Sequence, residues 1–303
     1  MKRVRPDQVS LICLIIQITA LIFIIFFLGK FRPLFVIDSD SYIKMPMGSL
    51  HEALSGIRTV GYPLFLKLIA CFTPDYSATP ILQIGFHFIA VFLFMIGLRM
   101  FGFSGWLALF TASPLLYVKI FWDYSRKIST DGFACSMSIL VIAFLFMVVT
   151  NPRKMGYWIG TALSLFFTYQ IRPAYSYLPL ILPFLGLSLF LFCPLHREWS
   201  AEWKRLTVRL ALTAIAPFFA FCLLRWAVVG DLGLVTLGGA HISGIAFQML
   251  SDDLIPQLPP SLQEYARKIQ DARKQEGLVN DHDEKHKSLT RYFGISLIVT
   301  FQE

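Results

Sequence analysis

Three stretches of this chain place carboxylates, arginines and aromatic hydroxyls close together. The first has two parts: Asp38-Ser39-Asp40-Ser41-Tyr42, then Arg58-Thr59-Val60-Gly61-Tyr62-Pro63-Leu64-Phe65-Leu66. A carboxylate held at the end of a rigid helix can accept a proton, which makes Asp38 a candidate general base. The second stretch is Tyr124-Ser125-Arg126-Lys127-Ile128-Ser129-Thr130-Asp131. Its Arg-Lys pair offers phosphate contacts, since a guanidinium is a fork of donors that matches phosphate oxygens. Asp131 belongs to the same chemistry or simply opens a helix, where the dipole favours an acid. The third is Gln170-Ile171-Arg172-Pro173. Arg172 is a further cation of that site or a side chain reaching to a membrane interface. The candidate catalytic residues are therefore Asp38 and Asp131. The candidate binding residues are Asp40, Tyr42, Arg58, Tyr62, Arg126, Lys127 and Arg172. No metal site is expected. His282 and His286 are spaced i, i+4, but in the charged run 281–286 a solvated face is the expectation.

The elements that must position these residues follow from composition. The chain has 303 residues, 56% of them apolar and 15% charged, with a mean hydropathy of +0.62. A soluble domain carries about a quarter charged residues. The apolar residues come in long blocks, such as 11–29, that contain no charge. These features exclude a cytosolic enzyme, a nucleic-acid module and a secreted disulfide scaffold. They predict an all-α polytopic transmembrane bundle of about seven spans: 9–31, 80–100, 105–121, 132–149, 157–171, 174–192 and 206–229. The short apolar run 64–72 is expected to lie in the interface within a long first loop, 32–79. The five cysteines form no paired spacing and sit in or beside apolar runs, as packing residues do.

The net charge of +8 is spread over helix ends rather than gathered on one soluble face, so no nucleic-acid partner is expected. Lys2, Arg3 and Arg5 predict a cytoplasmic N-terminus for a protein of the cell (plasma or inner) membrane. The opposite face then collects Lys44, Arg58, Lys67, Arg126, Lys127 and Arg172, together with Asp38, Asp40, Glu52, Asp75, Asp123 and Asp131. Both signs of charge at one membrane surface mark a site for an ionic ligand, or else a solvated face of internal ion pairs. Asp38-Ser39-Asp40 also has the D-x-D form of soluble nucleotide-sugar enzymes. That reading is set aside, because the acids face away from the cytoplasm and no strand–helix fold surrounds them. The chain then divides into a membrane region, 1–229, and an extracytoplasmic polar segment, 230–303. The latter holds an expected helix at 261–275 and an apolar run, 295–301, too short to span.

The order of these pieces resembles the polytopic glycosyltransferases of the GT-C class, above all the protein O-mannosyltransferases and the aminoarabinose transferases that modify lipid A. There a first-loop Asp lies four residues before a Tyr, as Asp38 does before Tyr42. The R-x-x-G-Y-P-L-F-L stretch matches Arg58 to Leu66, Y-S-R-x-x-x-T-[ED] matches Tyr124 to Asp131, and R-P matches Arg172-Pro173. The family usually has Glu at the place of Asp131. Its members also run on through further helices, so the resemblance implies a C-terminally truncated copy.

The resemblance implies transfer of a sugar, with inversion, from a polyprenyl-phosphate carrier to a hydroxyl of a lipid, glycan or protein acceptor on the extracytoplasmic side. Asp38 would take the acceptor's proton, and Arg58, Arg126 and Arg172 would stabilise the leaving phosphate. No cofactor is required, and no convincing ligand set supports a divalent cation. A carrier or flippase of polyprenyl-linked or other anionic lipids would use the same basic face without a base. An inactive remnant of the transferase would retain the same motifs.

Overall fold

The computed structural model describes residues 6–192, 203–235 and 252–275. The expectations for 281–286 and 295–301 lie outside these residues. The chain divides into two compact units, Met1–Val235 and Thr236–Glu303. Every regular element among the described residues is helical, apart from one isolated parallel bridge between Leu34 and Lys127.

In the first unit the helices are α1 (Pro6–Phe27), α2 (Ser39–Ile43), α3 (Leu50–Ser55), α4 (Gly61–Ala70), α5 (Ala78–Phe101), α6 (Gly105–Tyr117), α7 (Lys119–Ser125), α8 (Thr130–Thr150), α9 (Met155–Ile171), α10 (Leu178–Phe192) and α11 (Trp203–Val229). The second unit contributes α12 (Pro260–Gln275), preceded by a 3₁₀ turn at Asp252–Gln257.

Four helices are long and apolar enough to cross a membrane: Gln8–Phe27 within α1, Ala78–Met100 within α5, α8 and α11. At 1.5 Å per residue, the 22 residues of α1 extend about 33 Å, which matches a hydrocarbon core of about 30 Å. The helices α6, α9 and α10 are shorter, at 13, 17 and 15 residues.

Two differences from the expected spans have clear physical reasons. The segment 105–121 is not one helix. It breaks at Val118, which is extended (ψ 104°), and α7 starts where Lys119 and Asp123 enter the sequence. Asp123 pairs with Lys30 at 3.1 Å and with Lys119 at 3.9 Å, which keeps this polar turn beside the exit of α1. The segment 174–192 also starts late. Pro173 opens a 3₁₀ turn, Pro173–Tyr175, and α10 begins only at Leu178.

The core is formed where α5 packs along α8, α8 against α9, α10 against α11 and α1 against α6. Leu14, Val91, Ala112, Leu145 and Leu210 are fully buried in it. His87 bridges helices within this layer, with its ring nitrogens 3.1 Å from Ser136 Oγ and 2.9 Å from the Leu115 carbonyl. A smaller cluster of Tyr42, Tyr62, Leu66, Ile128, Phe133, Met137 and Ile171 packs the first loop onto α8 and α9.

Candidate functional site

The first loop is pinned where α1 leaves the bundle. The Leu34 amide donates to the Arg126 carbonyl, and the Ile128 amide donates to the Leu34 carbonyl, both at 2.9 Å. Ser39 is fully buried, and its hydroxyl donates to the Ile128 carbonyl at 2.9 Å. The segment 38–42, with Asp38 before α2 and Tyr42 within it, is thereby held against the segment carrying Arg126 and Lys127.

Asp38 precedes α2 but does not cap it with its side chain. Its carboxylate instead pairs with Arg58 at 2.8 Å and is 59% exposed. Arg58 is held from two further directions. Its Nε donates to Ser41 Oγ at 3.1 Å, and its guanidinium carbon lies 4.7 Å from the centre of the Tyr42 ring. Cation–π contact of this kind contributes roughly 0.5–2 kcal/mol. A bare surface ion pair would be worth little. A guanidinium fixed on three sides keeps one orientation.

The second acid–base pair forms at the ends of two bundle helices. A residue before proline is driven out of the helical region. Arg172 accordingly is extended (φ −141°, ψ 109°) at the end of α9, which carries its side chain across to the first turn of α8. There Arg172 pairs with Asp131, and both side chains are half-buried. Asp131 stands in the first turn of α8, two residues after the N-cap Ser129, and is at the same time the anion of this ion pair.

Thr130 joins the two halves. Its hydroxyl accepts from Arg172 at 3.4 Å and lies 3.5 Å from the Tyr42 hydroxyl. Contacts thus run without a break from Asp38 through Arg58, Tyr42, Thr130 and Arg172 to Asp131. Underneath, Tyr62 is fully buried and meets the Tyr42 ring edge-on at 5.1 Å. Burial, reinforced by the neighbouring Tyr42, raises the Tyr62 phenol well above its usual range, so it remains a neutral hydroxyl. Gln83 donates to the Tyr62 oxygen at 3.5 Å and to the Lys127 carbonyl at 3.2 Å. The start of α4 lies close on α9: a Cβ on Gly61 would come within 2.7 Å of the Gln170 carbonyl oxygen.

Of the residues singled out from the sequence, Asp38, Tyr42, Arg58, Asp131 and Arg172 meet in this chain, with Tyr62 as its floor. Lys127 is directed over the Tyr124 ring at 4.1 Å. The half-buried Arg126 has no side-chain partner among the described residues. Asp40 is not brought in; it makes an exposed i, i+4 pair with Lys44 at 2.6 Å.

Three further residues, Ser39, Thr130 and Gln83, hold the site together. Ser39 and Thr130 lay inside the quoted motifs, but small hydroxyls carry no distinctive signal. Gln83, a buried amide in an apolar helix, was detectable as a polar residue in a spanning segment. Among the described residues, no three His, Cys, Asp or Glu side chains converge to hold a metal.

The chain matches no protein-family model, no curated protein and no solved structure. The arrangement can nonetheless be stated in chemical terms: an exposed carboxylate, two arginines oriented by carboxylates, and a third arginine with no side-chain partner among the described residues.

Proposed function

We propose that this protein is a membrane glycosyltransferase of about seven spans that moves a sugar from a polyprenyl-phosphate carrier to an acceptor hydroxyl on the extracytoplasmic side. The observation that carries the reading is the continuous chain from Asp38 to Asp131, together with Arg126, which has no side-chain partner among the described residues. In the reaction the acceptor oxygen attacks the anomeric carbon as Asp38 takes its proton. The bond from that carbon to the phosphate oxygen breaks, and the polyprenyl phosphate leaves with its negative charge. A single displacement of this kind inverts the anomeric centre.

Arg126 supplies the first phosphate contact. Arg58 and Arg172 follow, each exchanging part of its hold on a carboxylate for a phosphate oxygen, which frees Asp38 to act as base. Asp131 keeps Arg172 oriented until the donor arrives. The prenyl chain lies against the apolar helix surface beside the first loop.

A second reading, a carrier or flippase of anionic polyprenyl lipids, draws support from one fact. The Asp38 carboxylate is engaged by Arg58, and a carrier needs the cations but no free base. One experiment separates the two. Asp38→Asn preserves the size of the side chain but removes its basicity, and loss of a general base lowers rate by about 10²–10⁴-fold. Sugar transfer from a labelled polyprenyl-phosphate donor should fall to that extent, while binding of the donor persists. Transfer at the wild-type rate would remove Asp38 from the chemistry and favour the carrier.

A further inference from the structure

Arg225 lies in the last turns of α11, inside the apolar run Phe221-Cys222-Leu223-Leu224-Arg225-Trp226, and is 1% exposed. A buried guanidinium is costly unless several charge-assisted hydrogen bonds surround it. Arg225 has such a set. One terminal nitrogen pairs with the Asp231 carboxylate at 2.8 Å. The other donates to the carbonyls of Asp231 and Gly233, each at 3.4 Å. These contacts stay within the exit from α11. The fourth does not: Nε donates to the Leu54 carbonyl at 3.0 Å, 171 residues away in the chain.

Leu54 is in the last turn of α3, where carbonyls have no intrahelical donor. It precedes Arg58 by four residues. The segment 54–58 is therefore fastened at both ends, to α11 through Leu54 and to Asp38, Ser41 and Tyr42 through Arg58.

We propose that Arg225 is a positioning residue, tying the first loop to α11 so that Arg58 is presented to a phosphate-bearing lipid. The proposal rests on the phosphate-binding role given to Arg58 above. Arg225 touches no reacting atom; it acts through the loop.

The test uses the full chain in lipid nanodiscs, comparing wild type with Arg225→Gln, Arg225→Lys and Asp231→Asn. Amide hydrogen exchange at 50–58 reads the tether without reference to activity. Arg225→Gln should raise exchange there by about tenfold, as expected on losing a hydrogen bond from a charged donor. Exchange in the first turns of α8 should not change. Asp231→Asn keeps the Leu54 contact and should raise exchange far less. Arg225→Lys keeps a charged donor and should fall between these two. If Arg225→Gln does not fold, the excess of Arg225→Lys over Asp231→Asn takes its place. Unchanged exchange at 50–58 overturns the tether.

Binding of a polyprenyl monophosphate, measured in a double-mutant cycle with Arg58→Ala, then tests the role. Arg225→Gln should weaken binding about tenfold when Arg58 is present and have no further effect when it is absent, the signature of a residue that acts through another. Additive losses overturn the positioning role. If the wild type binds no polyprenyl phosphate, the phosphate reading fails and the positioning role with it, while the exchange data still decide the tether separately.

Discussion

Arg126 differs from the other two arginines of the site. Arg58 and Arg172 each hold a carboxylate, whereas Arg126 has no side-chain partner among the described residues. Removing Arg126 therefore breaks no side-chain contact among the described residues. Arg126→Ala should leave the unfolding temperature unchanged yet weaken donor binding by about tenfold or more, the loss of one charge-assisted contact. Arg58→Ala should weaken binding to a similar degree and also lower the unfolding temperature, because the Tyr42 ring loses the cation stacked on it. Donor titration alongside thermal unfolding in detergent checks both. A drop in unfolding temperature for Arg126→Ala would mean that the residue is structural. A milder effect is expected at Thr130. Thr130→Val removes the hydroxyl that joins Tyr42 to Arg172 and should cost about 1 kcal/mol of stability.

At the scale of elements, the site depends on how closely helix starts approach their neighbours. A Cβ on Gly132 would lie 2.7 Å from the Ser125 backbone nitrogen, and one on Gly61 would lie 2.7 Å from the Gln170 carbonyl oxygen. Both obstacles are main chain, so an added methyl group must move an element rather than a rotamer. Overpacking of this kind typically costs about 1–3 kcal/mol. Gly132→Ala should displace the turn that carries Arg126 and Lys127, and Gly61→Ala should push α4 away from α9 near Arg172. Both variants should unfold at lower temperature and bind donor less tightly. Full donor affinity in Gly132→Ala would show that the turn tolerates displacement, and the placement of Arg126 would then matter less than proposed.

For the whole molecule, the ends of α1 and α9 and the start of α8 meet at one end of the bundle, joined by the contacts of Asp38, Tyr42, Thr130 and Arg172. The proposal assigns that end to the extracytoplasmic side. Single cysteines replacing Asp38 and Arg172, on a background without native cysteines, should react with an impermeant thiol reagent added outside intact cells. A cysteine replacing Arg153, in the turn between α8 and α9, should react only after the cells are opened. Labelling of positions 38 and 172 solely from the cytoplasmic side would overturn the assignment and, with it, the use of an extracytoplasmic acceptor.

Much of this architecture is legible in the linear order of residues. Apolar blocks such as 11–29 predict helices because the backbone in hydrocarbon must satisfy its own hydrogen bonds. The proline of the Arg172-Pro173 pair marks a break between two helices, because its ring excludes a helical neighbour. Asp38, Arg126, Asp131 and Arg172 stand out as charges near long apolar runs, and Arg58 as a charge before a short one. Pairing is different, because it depends on which helix ends become neighbours after packing. Nothing in the spacing says that Asp131 takes Arg172 while Asp38 takes Arg58, or that Arg126 has no side-chain partner among the described residues. Nor does it say that Arg225, a lone charge in an apolar run, reaches Leu54. Those choices belong to the folded bundle, where long-range contacts bring residues far apart in sequence within hydrogen-bonding distance and burial makes each partner matter.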